Sequence, residues 1–416
     1  MSKITFYYTD KKSSRYRIFD SKTKQYSWSD KLTFKHEFSI FQGYEATDDG
    51  LFKYANDFNF WVSELKNNDI FKIDYTKFYT HDNATERMFV ILSKGKYEHF
   101  DDMNIVEFQW QQKCNRGAIV KLICKENATS ESYGYDFKNT YPFLLGDSDF
   151  RGLEMPTKQG TDCIIDEITY TTLEMGYYHC LIKSSDMCFN SIFNYSTHNV
   201  YTNIDLLLAF VCQKRGMVIN IEMIKDNKPN AYIYGKNKKD GIIKPSIVFG
   251  TWYKILSKLR EEFKDNLLVK YLMKSCWGHL CGYNKKFMTI EDINEKGVNI
   301  ANSKGGMDLT DVDYLILDYH VKEDSRYYEL ADCNKPFKYG QIARIKPFLL
   351  ARARYNTASV ALLHIEDVIR IHTDCIVYNK QHDGVLTKFT TFPRLVKEKK
   401  TNGLIKWTNC NNYEHL

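Results

Sequence analysis

The sequence predicts a mixed α+β protein in which strand-rich and helix-rich stretches succeed one another along 416 residues. Three observations point there. Residues 1–115 alternate aromatic and polar side chains (FYYTDKKSSRYRIF, FKIDYTKFYT, RMFVIL), the period-two pattern of half-buried strands, with short helices between them. From about residue 116, β-prone runs are cut by turn residues into strand–turn units. Two longer stretches, 253–280 and 347–367, read as helices; the second opens with Pro347 at a permitted N-terminal position and is rich in Ala. The polar stretches 228–242 and 285–306 read as surface loops or small inserted subdomains. The length accommodates two or three domains, and no repeat, heptad run or Pro/Ser-rich linker marks their borders.

Composition narrows the class. With 43% hydrophobic and 26% charged residues, the make-up is that of a globular chain rather than a disordered or fibrous one. No stretch approaches the roughly 18 apolar residues of a spanning helix, and MSKITFYYTDKKSSR is too polar for a signal peptide. Neither a membrane protein nor a secreted one is expected. The eleven cysteines are scattered without a C-x-x-C pair, and an odd number excludes a complete disulfide framework. Reduced thiols and an intracellular, reducing compartment follow, and the N-x-S/T triplets at Asn83, Asn127 and Asn194 are then chance matches. Lys+Arg exceed Asp+Glu by 58 to 52, a net charge of +6, and 30 Tyr and 26 Phe stand among Lys and Asn. Aromatic residues beside basic ones suit base stacking and phosphate neutralisation. An AT-rich coding bias yields the same composition, which therefore does not decide function.

Three segments carry chemistry. In GYDFKNTYPFLLG (134–146), β-prone residues 133–137 run into a turn stopped by Pro142, so Asp136 projects from a strand end, a rigid mount for a metal-binding acid. An Asp that merely caps the turn explains the same pattern. In DNLLVKYLMKSCWGHL (265–280), Asp265 or Asn266 can cap a helix on which Lys270, Lys274, Trp277 and Cys281 share a face at i, i+4, i+7 and i+11. Two cations beside an aromatic plane can hold a triphosphate and stack a base; a solvated lysine stripe with Trp277 in the core is the plainer account. In VIRIHTDCIVY (368–378), two β-branched runs flank His372, Thr373 and Asp374, which predicts a tight hairpin with Asp374 at its tip. His372 is a candidate metal ligand or proton shuttle, or an imidazole packed in the turn. Two carboxylates on separate strand tips and a basic helix suit two-metal nucleotidyl transfer.

In this order the segments resemble the family B DNA polymerases, in particular the protein-primed branch of viruses and linear plasmids. DFKNTYP (136–142) is similar to that family's motif A, D-x-x-S-L-Y-P, which implies that Asp136 binds metal, that neighbouring Phe137 lies at the nucleotide, and that Tyr141 is the gate against a 2′-hydroxyl. KYLMKSCWG (270–278) is similar to motif B, K-x-x-x-N-S-x-Y-G, keeping Lys270, Ser275 and Gly278 but with Lys274 for Asn and Trp277 for Tyr. HTDC (372–375) is similar to motif C, D-T-D-S, keeping Thr373 and the second aspartate, Asp374. NRGA (115–118) is similar to a template-contacting Y-x-G-G linker, and ARY (353–355), with Arg354, to the helix that leads into motif C. The intervals between motifs, 134 residues (270 − 136) and 104 residues (374 − 270), leave room for two insertions.

The resemblance implies a palm of antiparallel sheet and helices built from 133–190 and 320–378, helical fingers, two insertions, a reduced thumb and a degenerate α/β N-terminal domain. By residue these are 1–115 at the exonuclease position; 116–190 and 336–385 as the two parts of the palm; 191–247 and 285–335 as insertions; 248–284 as fingers; and 386–416 as a short thumb-like tail. It also implies two Mg²⁺ ions, with Mn²⁺ as a substitute, held by Asp136 and Asp374 with His372 as a further candidate. Deoxynucleoside triphosphate would be bound by Lys270, Lys274, Ser275 and Trp277 with Lys258 and Arg260, and primer-template DNA by Arg116, Gly117, Arg354, Thr373, Lys399, Lys400 and Tyr413. A terminal protein would be the priming partner. No membrane is involved, and if the source is viral the host compartment stays open between cytoplasm and nucleus.

Departures shape the expectation. His372 replaces the first aspartate of D-T-D, and no D-x-E pair occurs before residue 115, so proofreading is expected to be absent. YEATD (44–48) fits the last exonuclease motif only in spacing and reads as a surface turn. Only 42 residues (416 − 374) follow Asp374, too few for a full thumb. Two readings stand: a DNA-directed DNA polymerase, and a catalytically inactive, polymerase-derived DNA-binding scaffold of the replisome.

Overall fold

The computed structural model describes residues 4–10, 13–33, 36–40, 44–68, 73–235, 241–264, 266–302, 309, 311–322, 325–386 and 393–416. They divide into two compact units: Met1–Lys96 with Val248–His279, and Tyr97–Ile247 with Leu280–Leu416. The sequence segments are thereby regrouped. Residues 97–115 join the second unit, and the helices expected as fingers join the N-terminal segment.

The first unit is a four-stranded sheet in the order Gln25–Ser29, Tyr16–Asp20, Thr5–Thr9, Glu37–Ser39, the last pair parallel and the others antiparallel. The helices Asp48–Asn67 and His81–Ser93 belong to the same unit. Each starts at a threonine whose hydroxyl accepts an N–H of the first turn, Thr47 from Gly50 and Thr80 from Asn83. The YEATD segment is the entry to the first of these helices, where Asp48 pairs with Arg17. Sheet and helices meet in a knot of aromatic rings: Phe6, Phe38, Tyr54, Phe58, Tyr75 and His81, with centroids 5.1 Å apart for Phe6–Phe58 and 4.9 Å for Phe38–Phe58. Two helices, Ser246–Glu262 and Leu267–Leu280, replace the single helix expected over 253–280. The break has a local cause: Asn266 accepts the Val269 N–H at 3.2 Å and so caps the second helix. The other expected cap, Asp265, lies outside the described residues.

The second unit holds three larger sheets and a two-stranded one. A six-stranded sheet runs Tyr413–His415, Leu395–Trp407, Ala128–Phe137, Cys375–Tyr378, Val368–His372, Val120–Leu122, with every neighbouring pair antiparallel. One face of it shares a core with a second sheet, built around Gly176–Ser184, and with the helices Met187–Ile192 and Asn203–Lys214. The short strands Met155–Pro156 and Ile242–Ile243 pair apart from these. A four-stranded sheet lies within 285–332: strands Lys285–Thr289, Ser325–Asp332, Tyr314–Lys322 and Ile300–Asn302, with the helix Ile290–Lys296 packed on one face. Strands between 133 and 190 and between 320 and 378 are shared among several sheets, and the tail, expected as thumb-like, supplies two strands of the six-stranded sheet. The helix Lys346–Ala361 keeps Pro347 in its first turn but ends six residues before Asp367 (367 − 361), because residues 365–367 form a separate 3₁₀ turn. All eleven cysteines are free, and among the described residues no helix is long and apolar enough to cross a membrane.

His81 supplies a test of the first unit. It is buried between the hydroxyls of Tyr54 (2.7 Å from Nε2) and Tyr75 (2.9 Å from Nδ1), and burial pushes its pKa down to about 4. The unfolded chain protonates this ring near its ordinary value while the folded one stays neutral. The stabilisation is therefore complete above pH ~6.5 and is lost as pH falls toward about 4, a span worth about 3 kcal/mol. Urea titrations between pH 7 and 4 should show the wild type losing more stability than His81→Gln by about that amount. Parallel curves would contradict the account.

Candidate active site

Asp136 is the penultimate residue of the strand Ala128–Phe137. The adjacent hairpin, Val368–His372 and Cys375–Tyr378, turns over two residues, Thr373 and Asp374. Cys375 stands opposite Asp136 in the pairing, so the two carboxylate-bearing residues are neighbours across two strands. The contact is fixed by the Phe137 N–H, which donates to the Asp374 carbonyl at 3.1 Å. The Asp374 carboxylate accepts from two hydroxyls, Thr140 at 2.9 Å on Oδ2 and Thr373 at 2.8 Å on Oδ1. Thr140 reaches it because Asn139, with φ +53°, turns the chain from the strand into the helix Thr140–Gly146. Pro142 lies in the first turn of that helix and does not stop a turn, since proline is tolerated there.

Electrostatics follow this layout. Burial, then the Asp374 charge, push the Tyr141 hydroxyl up to about 12, so it remains a proton donor at any physiological pH. The Cys375 thiol is pushed up to about 12 by burial and then by Asp136, and stays an uncharged spacer between strands. Phe137, expected at the nucleotide, alternates to the face opposite Asp136 and is 1% exposed in the core. Its side chain contributes burial, about 1.5–3 kcal/mol for a ring of this kind, and only its backbone reaches the site. The His372 Nε2 engages Asn411 Oδ1 at 3.1 Å, and Cys375 lies between His372 and Asp136 in the register. Among the described residues no group of three or more His, Cys, Asp or Glu is assembled as a metal cage. Two oxygen donors are nonetheless a fitting set for Mg²⁺, which keeps waters and completes its shell with substrate phosphates.

Two expected DNA contacts turn inward. Arg354, 3% exposed, pairs with Asp205 at 2.9 Å and donates to the carbonyls of Arg116 and Gly117 at 3.0 and 2.8 Å. Arg116 also pairs with Asp205, donates to the Asn194 carbonyl and lies over the Tyr201 ring at 4.7 Å. A guanidinium held this way is a brace, and neither side chain is displayed to DNA. Gly117 is exposed, and a Cβ there would meet nothing within 4 Å. Tyr413 packs 5.0 Å from Trp407 and beside Arg370, in the small cluster that also holds Cys375. Lys400 is exposed; the Lys399 side chain lies outside the described part.

The other residues expected at the nucleotide, Lys258, Arg260, Lys270, Lys274, Ser275 and Trp277, lie in the first unit. Lys270 and Lys274 are exposed and line a pocket of about 410 Å³ with Ser39, Ile40, Leu267, Tyr271 and Ser275. The Ser275 hydroxyl donates to the Tyr271 carbonyl at 2.8 Å and lies 3.3 Å from Thr85. Trp277 is partly buried, whereas Cys281 lies buried beyond the helix end and leaves the expected face. Lys258 is exposed on the preceding helix, where burial lowers the pKa of Arg260.

Sequence reasoning missed four residues on which this geometry depends: Asp205, Thr140, Thr357 and Gly134. Thr357 donates from Oγ1 to the Thr373 carbonyl at 3.2 Å. Gly134 offers the one readable signal, a glycine inside a strand pattern. Opposite it the strand Leu395–Trp407 bulges between Glu398 and Gly403, and Asn402 Oδ1 accepts the Gly134 N–H at 2.8 Å.

The fold is shared with solved DNA polymerases. They are structures of Phi29 DNA polymerase: with single-stranded DNA (TM-score 0.55, 13% identity, 88% of this chain and 58% of that one), with primer-template DNA (0.54, 13%, 88% and 58%), and with primer-template and incoming nucleotide (0.54, 13%, 81% and 56%). This chain spans less than two thirds of their length. No family model and no curated protein matches the sequence.

The Gly134 approach is testable. A Cβ at Gly134 would overlap Thr401 Oγ1 and crowd the Glu398 side chain. Gly134→Ala should cost about 1–3 kcal/mol in chemical denaturation, and Gly134→Ala with Thr401→Gly should recover at least half. Simple additivity of the two losses would refute the close-packing explanation.

Proposed function

We propose that the chain is a DNA-directed DNA polymerase of the protein-primed family B type, adding deoxynucleotides to a primer 3′-hydroxyl. The observation that carries the reading is that Asp136, opposite Cys375 in the register, ends its strand beside the hairpin turn that bears Asp374, in a fold shared with Phi29 DNA polymerase. In this reading the six-stranded sheet is the palm, the helices of 248–284 are the fingers, and 191–247 and 285–335 are the insertions. The partners are primer-template DNA, deoxynucleoside triphosphates and a terminal protein primer.

Asp136 and Asp374 would hold two Mg²⁺ ions, or Mn²⁺ in their place, which when bound lower the pKa of the attacking hydroxyl and offset charge on the leaving pyrophosphate. The chain's own residues do the positioning. The hydroxyls of Thr140 and Thr373 fix the rotamer of Asp374, so that its carboxylate is aligned before substrate arrives. Tyr141, next to Thr140 on the helix and within the field of the Asp374 charge, would exclude a ribose 2′-hydroxyl with its ring. Lys270 and Lys274 bring two exposed cations to a pocket wide enough for phosphate groups. Lys258, Arg260, Ser275 and Trp277 are assigned to the same nucleotide. Lys400, Gly117 and Thr373 remain candidates for the DNA backbone.

Primer extension on a primed single-stranded template tests this directly. Wild type should incorporate deoxynucleotides with Mg²⁺, and Asp136→Ala and Asp374→Ala should each reduce the rate by at least about 10³-fold, the scale of electrostatic stabilisation removed at a reaction centre. Wild-type protein that binds primer-template at low salt without extending it would replace the polymerase reading with that of a DNA-binding scaffold, the reading that His372 in place of an aspartate favours. Tyr141→Ala should relax discrimination against ribonucleotides, and unchanged sugar selection would remove the gate assignment.

A further inference from the structure

We infer that Asp205, a buried carboxylate of the 191–247 segment, is the positioning residue of the Thr373–Asp374 turn and acts on it through Arg354. For its effect on catalysis the inference rests on the polymerase reading; for its effect on the turn it does not. Thr373 sits at φ +57°, a left-handed conformation that costs a β-branched residue about 1–2 kcal/mol. Such a residue persists only where its surroundings over-determine it. Here both backbone groups of Thr373 are tied. Its N–H donates to the Ile119 carbonyl at 2.8 Å, and its carbonyl accepts from Thr357 Oγ1 at 3.2 Å.

The two ties lead to one side chain. Ile119 follows the 116–117 loop, whose two carbonyls Arg354 grips, and Thr357 lies three residues beyond Arg354 on the same helix. Arg354 is in turn held by Asp205 through three hydrogen bonds of 2.9–3.1 Å, from Nε and Nη2. Asp205 also takes Arg116 and the Thr202 hydroxyl, at 2.8 Å for the latter. The loop and the helix that hold the strained turn thus converge on one carboxylate, which also closes the capping box at the start of the helix Asn203–Lys214. Removing it leaves two buried guanidiniums facing each other, so that the loop and the helix lose their common anchor while Asp374 keeps its own bonds from Phe137, Thr140 and Thr373.

The test compares three proteins with wild type: Asp205→Asn, Asp205→Glu, and the combined Arg116→Met, Asp205→Leu, Arg354→Met. The combined variant removes the whole ion cluster, a replacement that folds tolerate, and so answers even where Asp205→Asn alone fails to fold. Hydrogen exchange should accelerate at least about 10-fold over 116–120 and 371–376 in the combined variant, with 314–332 unchanged. Asp205→Glu should recover part of the protection. In primer extension kcat should fall about 10²-fold, the cost of an ångström-scale misplacement, with the nucleotide KM within about threefold. A folded combined variant with wild-type exchange at both segments, or one in which exchange rises uniformly, would overturn the inference. If wild type extends no primer, the polymerase reading fails, and the exchange pattern alone still decides whether Asp205 positions the turn.

Discussion

The register between the strand Ala128–Phe137 and the hairpin strand Cys375–Tyr378 is the constraint on which the candidate site depends. Side chains alternate faces along a strand, so a slip of one residue would send Asp136 into the core and Phe137 to the open side. Several independent features hold that register. Phe137 and Tyr135 are both 1% exposed on the core face, the Phe137 N–H is bonded to the Asp374 carbonyl, and the Leu395–Trp407 strand pairs along the other edge. The bulge in that strand absorbs the mismatch in length and seats Thr401 on Gly134, close to the acid it flanks. Hydrophobic burial thus sets the face on which a carboxylate is shown.

Charge is divided between brace and display in the same economical way. Arg354 and Arg116 are spent on Asp205, whose carboxyl is held below its usual range because the two guanidiniums outweigh burial. Arg344 is spent on Glu107, where burial dominates and pushes the carboxyl up to about 7 despite the 3.0 Å ion pair and the Tyr234 hydroxyl. Guanidinium forks satisfy carboxylates and carbonyls together in a dry interior, which suits arginine better than lysine. The exposed cations at the pocket of the first unit are lysines, Lys270 and Lys274. A net charge of +6 therefore says little until each cation is placed.

What was legible in the sequence was local. The hairpin around Asp374, the strand end at Asp136, the cap at Asn266 and the proline-opened helix each follow from a few adjacent residues, and all four are present. What was not legible depended on distant partners. Arg116 and Arg354 read as DNA contacts because Asp205 lies 89 and 149 residues away from them, beyond any pattern rule. The tail read as an appendage because its partner strand begins some 260 residues earlier in the chain, as Glu398 opposite Gly134 illustrates (398 − 134 = 264). Phe137 is the instructive error: once Asp136 is assigned to the open face, strand alternation already commits its neighbour to the core.

The account rests on Asp136 and Asp374 acting together as one metal-holding pair. Anomalous scattering from crystals soaked with Mn²⁺ and a non-hydrolysable deoxynucleoside triphosphate addresses that claim most directly. The account predicts manganese bound to carboxylate oxygens of both residues at about 2.1 Å, with the triphosphate completing the shell. A bound nucleotide with no ion on either carboxylate, or ions held elsewhere, would contradict it.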